Sequence, residues 1–348
     1  MPFTIAEHKI GQNRPVFIVA EMSANHNKDF DQAVELIKTA KEAGADAIKL
    51  QTYTPDTLTI RSDMEYFRIG GGTLWDDCTL YELYSKSYMP WDWQPKLKEV
   101  ADKLEIELFS TAFDSTAIDF LEKMDVSVHK VASFEIVDIP LIEKMASTGK
   151  PLIISTGMAT LKEIKEAVQA TRNAGAKQIA LLKCTSAYPA LPEEMNLHTI
   201  PHLANIFKLP VGLSDHTLGI AVPIAAVALG ACIIEKHLTL SRSIPSSDSA
   251  FSLEPNEFKA MVEGIRTVEK ALGKIYYGIS EREKKSRVFR RSLFVVKKMK
   301  AGEIFTEKNI SSIRPGHGLL PMYLNNVLGR RATHNIKRGT PLKWKMIS

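Results

Sequence analysis

The stretch "VGLSDHTLGIAVPIAAVALGACIIEKHL", residues 211–238, contains two short apolar runs that each break off at a histidine. Val211–His216 and Cys232–Leu238 have the length and apolar character of strands buried on both faces. Between them lies most of the longest apolar run in the chain, Ile220–Ile234, which has 15 residues and includes Pro223 and Gly230. That falls short of the roughly 20 residues needed to cross a bilayer, so it reads as a buried helix leading into a buried strand. Strand, helix and strand, all apolar, make one unit of a parallel sheet.

The same unit recurs upstream. Strand-like runs occupy "VFIVAEM" (Val16–Met22), "AIKLQ" (Ala47–Gln51), "ELFST" (Glu107–Thr111), "VHKVAS" (Val128–Ser133), "PLIISTG" (Pro151–Gly157) and "IALLKCT" (Ile179–Thr185). Most intervals are 20 to 32 residues, the size of one strand-plus-helix unit. Eight such units predict an α/β fold, a TIM-type (β/α)₈ barrel. An open doubly wound sheet would want G-x-G-x-x-G after a strand, and the chain has none there.

The helices announce themselves. "DQAVELIKTAKEAG" places Ala33, Leu36, Ile37 and Ala40 on one face and ends at Gly44. "TLKEIKEAVQATRNAG" opens with Thr160 and Glu163 in capping-box spacing. One interval departs from the rhythm: about 55 residues separate the second and third strands and include "GGTLWDDCTLYELY". At the top of a barrel, such an excursion is expected to be a lid or a substrate-binding wall. Trp75, Trp91 and Trp93 in and after it read as loop packing.

The barrel is expected over residues 1–275, a charged linker over 276–290, and a small β-rich domain over 291–348. Within the last, "VVKKMKAGEIFT" and "THNIKRGTPLK" form a weak internal echo. Charge divides along the same line. Residues 281–348 carry 17 Lys or Arg against 4 Asp or Glu (+13), and residues 1–280 carry 28 against 36 (−8). A basic tail domain raises nucleic acid as a partner. It equally suits an anionic substrate or an acidic neighbouring subunit. No nucleic-acid motif accompanies it, so neither nucleic acid nor membrane is expected as a partner. Three scattered cysteines and the lack of a secretory signal pattern suit a cytoplasmic protein.

In such a barrel the active site forms at the C-terminal strand ends. The polar residues there are Glu21, Lys49, Thr111, Lys130, Ser133, Ser155, Ser214, His216 and His237. Two buried lysines need compensation. A phosphate- or carboxylate-bearing ligand would supply it, and so would internal salt bridges such as Lys49 with Glu21. His216 and His237 end consecutive strands and suit a divalent metal, with Asp215 or Asp248 adding an oxygen or a contact outside the ligand set. Alternatively, one imidazole contacts substrate and the other satisfies a backbone carbonyl.

The motifs "AEMSANHN", "IKLQTY", "KVASFE", "ISTGMAT", "KCTSAYP", "GLSDHTLG" and "EKHLT" together resemble the sialic acid synthase family of phosphoenolpyruvate-condensing nonulosonic acid synthases. "RPGHGL" and its flanks resemble that family's antifreeze-like (SAF) domain. Within the family, "QTYTPDTLTI", "GGTLWDDCTLYELY" and "SSDSAFSLE" resemble the pseudaminic acid branch more than the neuraminic or legionaminic branches, which take mannose-type amino sugars. Ser186, where many neuraminic acid synthases have asparagine, points the same way.

The resemblance implies condensation of phosphoenolpyruvate with an open-chain amino sugar, aided by a divalent metal on His216 and His237. Manganese is the usual ion, with magnesium or cobalt as alternatives. It implies that Glu21 is the catalytic carboxylate, and that Lys49, Thr111, Lys130, Ser133, Ser155 and Ser214 hold phosphoenolpyruvate. Glu135, Tyr188 and Asp248 would contact the sugar. Arg314 would reach the partner subunit's sugar site in a domain-swapped homodimer.

Overall fold

The computed structural model describes residues 3–76 and 78–348, so the first two residues and residue 77 of the long-loop stretch lie outside the described residues. Two compact units make up the chain, Met1–Gly273 and Lys274–Ser348.

The first unit opens with an antiparallel hairpin of β1 (Phe3–Ile5) and β2 (His8–Ile10). Thr4 N donates to Gln178 Oε1 at 2.6 Å, so the hairpin packs at the N-terminal end of the barrel, away from the strand tips. Eight parallel strands then close on themselves: β3 (Phe17–Glu21), β4 (Ala47–Thr52), β5 (Glu107–Ala112), β6 (His129–Val131), β7 (Leu152–Ser155), β8 (Ile179–Cys184), β9 (Val211–Asp215) and β10 (Ile233–His237). Closure runs from Ile233 opposite Phe17 to His237 opposite Glu21. All eight predicted strands are present, shortened or extended by a few residues at their ends. His216 and Ser133 fall just past strand ends, in the loops.

The helices form where their residues favour them. α1 (Phe30–Glu42) buries Ala33, Leu36, Ile37 and Ala40, the predicted face, and Asp29 caps it by accepting from the backbone N–H of Asp31 and Gln32. Gly44, with φ +88°, makes the left-handed turn into β4. The Thr160–Glu163 capping box starts α2 (Leu161–Asn173). The apolar run yields α3 (Ala221–Ala228), then β10, and α4 (Pro255–Leu272) completes the unit. Gly212 in β9 is required for space, since a Cβ there would lie 2.3 Å from the Ile233 carbonyl oxygen of the neighbouring strand. Among the described residues no helix is long and apolar enough to cross a membrane.

The second unit has its own core, including Leu293, Val295, Met299, Phe305, Ile310, Val327 and Ile336. β11 (Ser292–Val295) pairs antiparallel with β12 (Ile310–Ile313). The two echoed segments face each other, with Met299 bridging Ile336. Ahead of them, the charged segment carries a short helix, Glu281–Ser286, capped by Ser280.

Candidate active site

Because strand side chains alternate faces, each barrel strand sends every second residue inward. Near the C-terminal ends, four of those inward residues among the described ones are carboxylates or ammonium groups: Glu21, Lys49, Lys130 and Glu235, all buried. Lys49 Nζ lies 2.7 Å from Glu21 Oε2 and 3.6 Å from Glu235 Oε1, and donates to Thr111 Oγ1 at 3.0 Å. Lys130 Nζ donates to Ser155 Oγ at 2.7 Å and to the Val131 carbonyl at 2.9 Å. Ser214 Oγ donates to Glu235 Oε1 at 2.9 Å. The internal salt bridge of Lys49 with Glu21 is therefore present, and Glu235 completes it. Glu235 is absent from the residues singled out in the sequence. Its position two residues before His237, and hence on the same face, was the available signal.

Two ammonium groups and two carboxylates balance in charge, but burial acts unevenly on them. It pushes the Glu21 carboxyl up to about 7 despite the pull of Lys49. Burial also pushes Glu235 upward, yet Lys130 and Lys49 outweigh it and hold that carboxyl below its usual range. Lys130 is lowered by burial. An entering anion thus meets two desolvated lysines and several hydroxyls whose present partners are exchangeable.

The histidine pair lies on the same rim, with ring centroids 5.3 Å apart. His216 Nδ1 sits 2.9 Å from the Thr185 carbonyl. It must donate there, so in the neutral ring Nε2 keeps its lone pair. The carbonyl contact of the alternative reading is thus present, and it leaves His216 Nε2 available as a ligand. His237 Nδ1 is buried with no protein partner, and burial keeps its pKa well below the ordinary value. Two imidazole nitrogens fit a divalent cation; burial lowers the His216 pKa, but Cys184 and the Thr185 carbonyl outweigh it and raise it, so a bound cation would take the place of the Nε2 proton. Among the described residues no set of three or more His, Cys, Asp or Glu converges to hold a metal. The pair would therefore supply two positions, and oxygen donors the rest.

Asp215 does not contribute to that set. It faces the other side of the sheet, where Lys236 Nζ contacts Asp215 Oδ2 at 2.5 Å and Thr217 Oγ1 donates to Oδ1 at 2.9 Å. Of the two aspartates expected to add an oxygen or an outer contact, Asp215 is therefore not placed to supply a ligand oxygen. Asp248 is on the site side, bonded to Ser23 Oγ and to Ala24 N at 3.4 Å. Cys184 Sγ is 3.9 Å from His216 Nδ1; burial would raise its thiol, but His216 brings it down to about 7.

Aromatic rings wall the pair. Tyr188 lies 4.4 Å from the His216 ring, Phe251 4.9 Å from His237, and Trp75 5.6 Å from Tyr188. Trp75 comes from the long excursion, whose indole donates to the Ser247 carbonyl at 3.0 Å. The excursion therefore meets the segment carrying Asp248, as a wall of the mouth. Trp91 and Trp93 pack on Phe120 and Phe30 instead. Ser133 Oγ accepts from Gly157 N at 3.1 Å. Glu135 has a buried, unpartnered Oε2, and burial raises its carboxyl to about 7. Arg314 belongs to the second unit, where it is exposed just after β12.

The model of the NeuB family matches residues 36–277, and that of the SAF domain matches residues 290–348. The chain is 47% identical to a pseudaminic acid synthase from Helicobacter pylori, covering 94% of this chain and 97% of that one. It is 39% identical to an N,N'-diacetyllegionaminic acid synthase from Legionella pneumophila, covering 97% and 96%. A crystal structure of N-acetylneuraminic acid (sialic acid) synthetase from Leptospira borgpetersenii superposes with a TM-score of 0.73 at 33% identity, covering 82% of this chain and 95% of that one.

Proposed function

The chain belongs to the NeuB family, and on that premise we propose that it condenses phosphoenolpyruvate with 2,4-diacetamido-2,4,6-trideoxy-L-altropyranose and water, giving pseudaminic acid and phosphate. The observation that carries the choice of sugar is its near full-length identity with pseudaminic acid synthases, higher than with legionaminic acid synthases.

Lys49 and Lys130, with the hydroxyls of Thr111, Ser133, Ser155 and Ser214, take the phosphate and carboxylate of phosphoenolpyruvate, which become the counter-charge now supplied by Glu21 and Glu235. His216 and His237 would hold a divalent cation, manganese in this reading, which would supply Lewis acidity toward the aldehyde carbonyl of the open-chain sugar. The substrate carbons are then placed for C3 of phosphoenolpyruvate to bond to the aldehyde carbon. Water adds at C2, and phosphate departs with the bridging oxygen through C–O cleavage. Glu21, released from Lys49 by the anion and titrating at about 7, orients that water or a sugar hydroxyl and accepts its proton. Glu135, Tyr188 and Asp248 line the sugar side, where the excursion bearing Trp75 excludes bulk water.

The reading is tested by phosphate release with the diacetamido altrose sugar, its mannose-configured isomer and N-acetylmannosamine, each with phosphoenolpyruvate and Mn²⁺. Activity is expected with the first at a kcat/KM at least tenfold above the others, a discrimination of about 1.4 kcal/mol or more. Turnover of N-acetylmannosamine alone would overturn the choice.

The reading includes a homodimer in which Arg314 of one subunit serves the other's sugar site, supported by the basic charge of residues 281–348 against the acidic remainder. Mixing inactive Arg314→Ala with inactive His237→Ala protein and allowing subunits to exchange should restore about a quarter of wild-type activity, because half the dimers are mixed and each has one intact site. No recovery, with exchange confirmed, would place Arg314 in its own subunit's site, and full activity of Arg314→Ala by itself would remove it from either site.

A further inference from the structure

Ser23 follows β3 by two residues and has φ +46°, the left-handed region. A residue with a Cβ is disfavoured there, whereas glycine enters it freely. The turn itself needs no hydroxyl, yet the side chain is buried and doubly bonded. Ser23 Oγ accepts from Gln51 Nε2 at 2.9 Å and donates to Asp248 Oδ2. The same Gln51 amide donates to Glu21 Oε1 at 3.1 Å. An unbroken hydrogen-bonded line therefore joins the carboxylate ending β3 to a carboxylate carried by the segment after β10.

That segment is also fastened beside the line. Asn25 Nδ2 donates to the Leu238 carbonyl and to Ser252 Oγ, both at 2.9 Å, and its Oδ1 accepts from Ser246 Oγ at 2.5 Å. Asn25 thus fixes the backbone of the segment, while Ser23 fixes the direction of the Asp248 carboxylate. With Oδ2 engaged by Ser23 and Ala24 N, Oδ1 is left to accept from an O–H or N–H of a ligand.

We propose that Ser23 is a positioning residue for the sugar, its hydroxyl holding Asp248 and, through Gln51, Glu21 as one aligned edge of the acceptor subsite. The backbone strain at Ser23 is retained because glycine, which would relieve it, would also remove this link. The proposal rests on Asp248 facing the sugar, as set out above.

Ser23→Gly separates the two roles. It relieves the left-handed strain but gives up the two buried hydrogen bonds, so its Tm should exceed that of Ser23→Ala, while KM for the sugar rises roughly tenfold through loss of the charge-assisted bond to Asp248. KM for phosphoenolpyruvate stays unchanged. Ser23→Ala, which keeps the strain, should show the same kinetic defect with a lower Tm. In Ser23→Gly/Asp248→Asn, the Ser23 change should add less to the sugar defect than it does in the wild-type background. Kinetics and calorimetric sugar affinity are read with whichever amino sugar the wild-type protein accepts, so an error in the sugar assignment leaves the Ser23 test intact. Wild-type sugar KM and affinity in Ser23→Gly, or additive defects in the double variant, would overturn the proposal.

Discussion

His237→Gln is expected to lower turnover by about three orders of magnitude or more at saturating Mn²⁺, the several kcal/mol that Lewis-acid activation of a carbonyl supplies. The ring it replaces is buried against Phe251 at 4.9 Å and lies 5.3 Å from the other imidazole. Glutamine keeps most of that volume, so folding should survive. Metal content should fall with activity, because one imidazole of two is gone. Phosphoenolpyruvate affinity, read by calorimetry, should change far less, since the lysine and hydroxyl groups are intact. Stoichiometric metal with undiminished turnover in His237→Gln would remove the pair from the metal site. A parallel loss in His216→Gln is expected for the same reason, although that change also frees the Thr185 carbonyl.

Glu235→Gln is expected to destabilise the free protein by about 3 kcal/mol. Its carboxylate is buried between Lys49, at 3.6 Å, and Lys130, whose charges both hold its pKa down. Glutamine can still accept from Ser214, so the loss isolates the charge. Lys49 keeps Glu21 as a partner, but Lys130 is left with only neutral ones. Phosphoenolpyruvate should then raise Tm more in Glu235→Gln than in the wild type, because the ligand supplies the missing negative charge and binds the folded state alone. Equal ligand-induced shifts in the two proteins would show that the anion does not enter the lysine layer.

The barrel was legible because its strands are apolar on both faces, and that pattern survives in single runs such as Ile179–Cys184. The buried face of α1 and the Thr160 capping box were legible because both depend on residues three or four apart. The N-terminal hairpin was not, since each strand has only three residues and His8 and Lys9 are exposed. At the site, alternation along a strand relates Ser214 to His216 and Glu235 to His237, and it also turns Asp215 away toward Lys236. Alternation within one strand cannot reveal which carboxylate meets which lysine across the barrel. Nor could any local pattern pair Ser23 with Asp248, 225 residues apart, or carry Trp75 to Ser247. Those contacts exist only once closure of β10 on β3 brings the chain's two ends of the barrel together.

The central claim is that phosphoenolpyruvate condenses with the diacetamido sugar at this rim, with water adding at C2. Its most direct test is turnover of phosphoenolpyruvate labelled with ¹⁸O in the bridging position, with the altrose-configured sugar and Mn²⁺, followed by mass spectrometry of both products. The label is predicted in phosphate, with a solvent oxygen at C2 of the nine-carbon acid. Label retained in the acid, through P–O cleavage, would contradict the account.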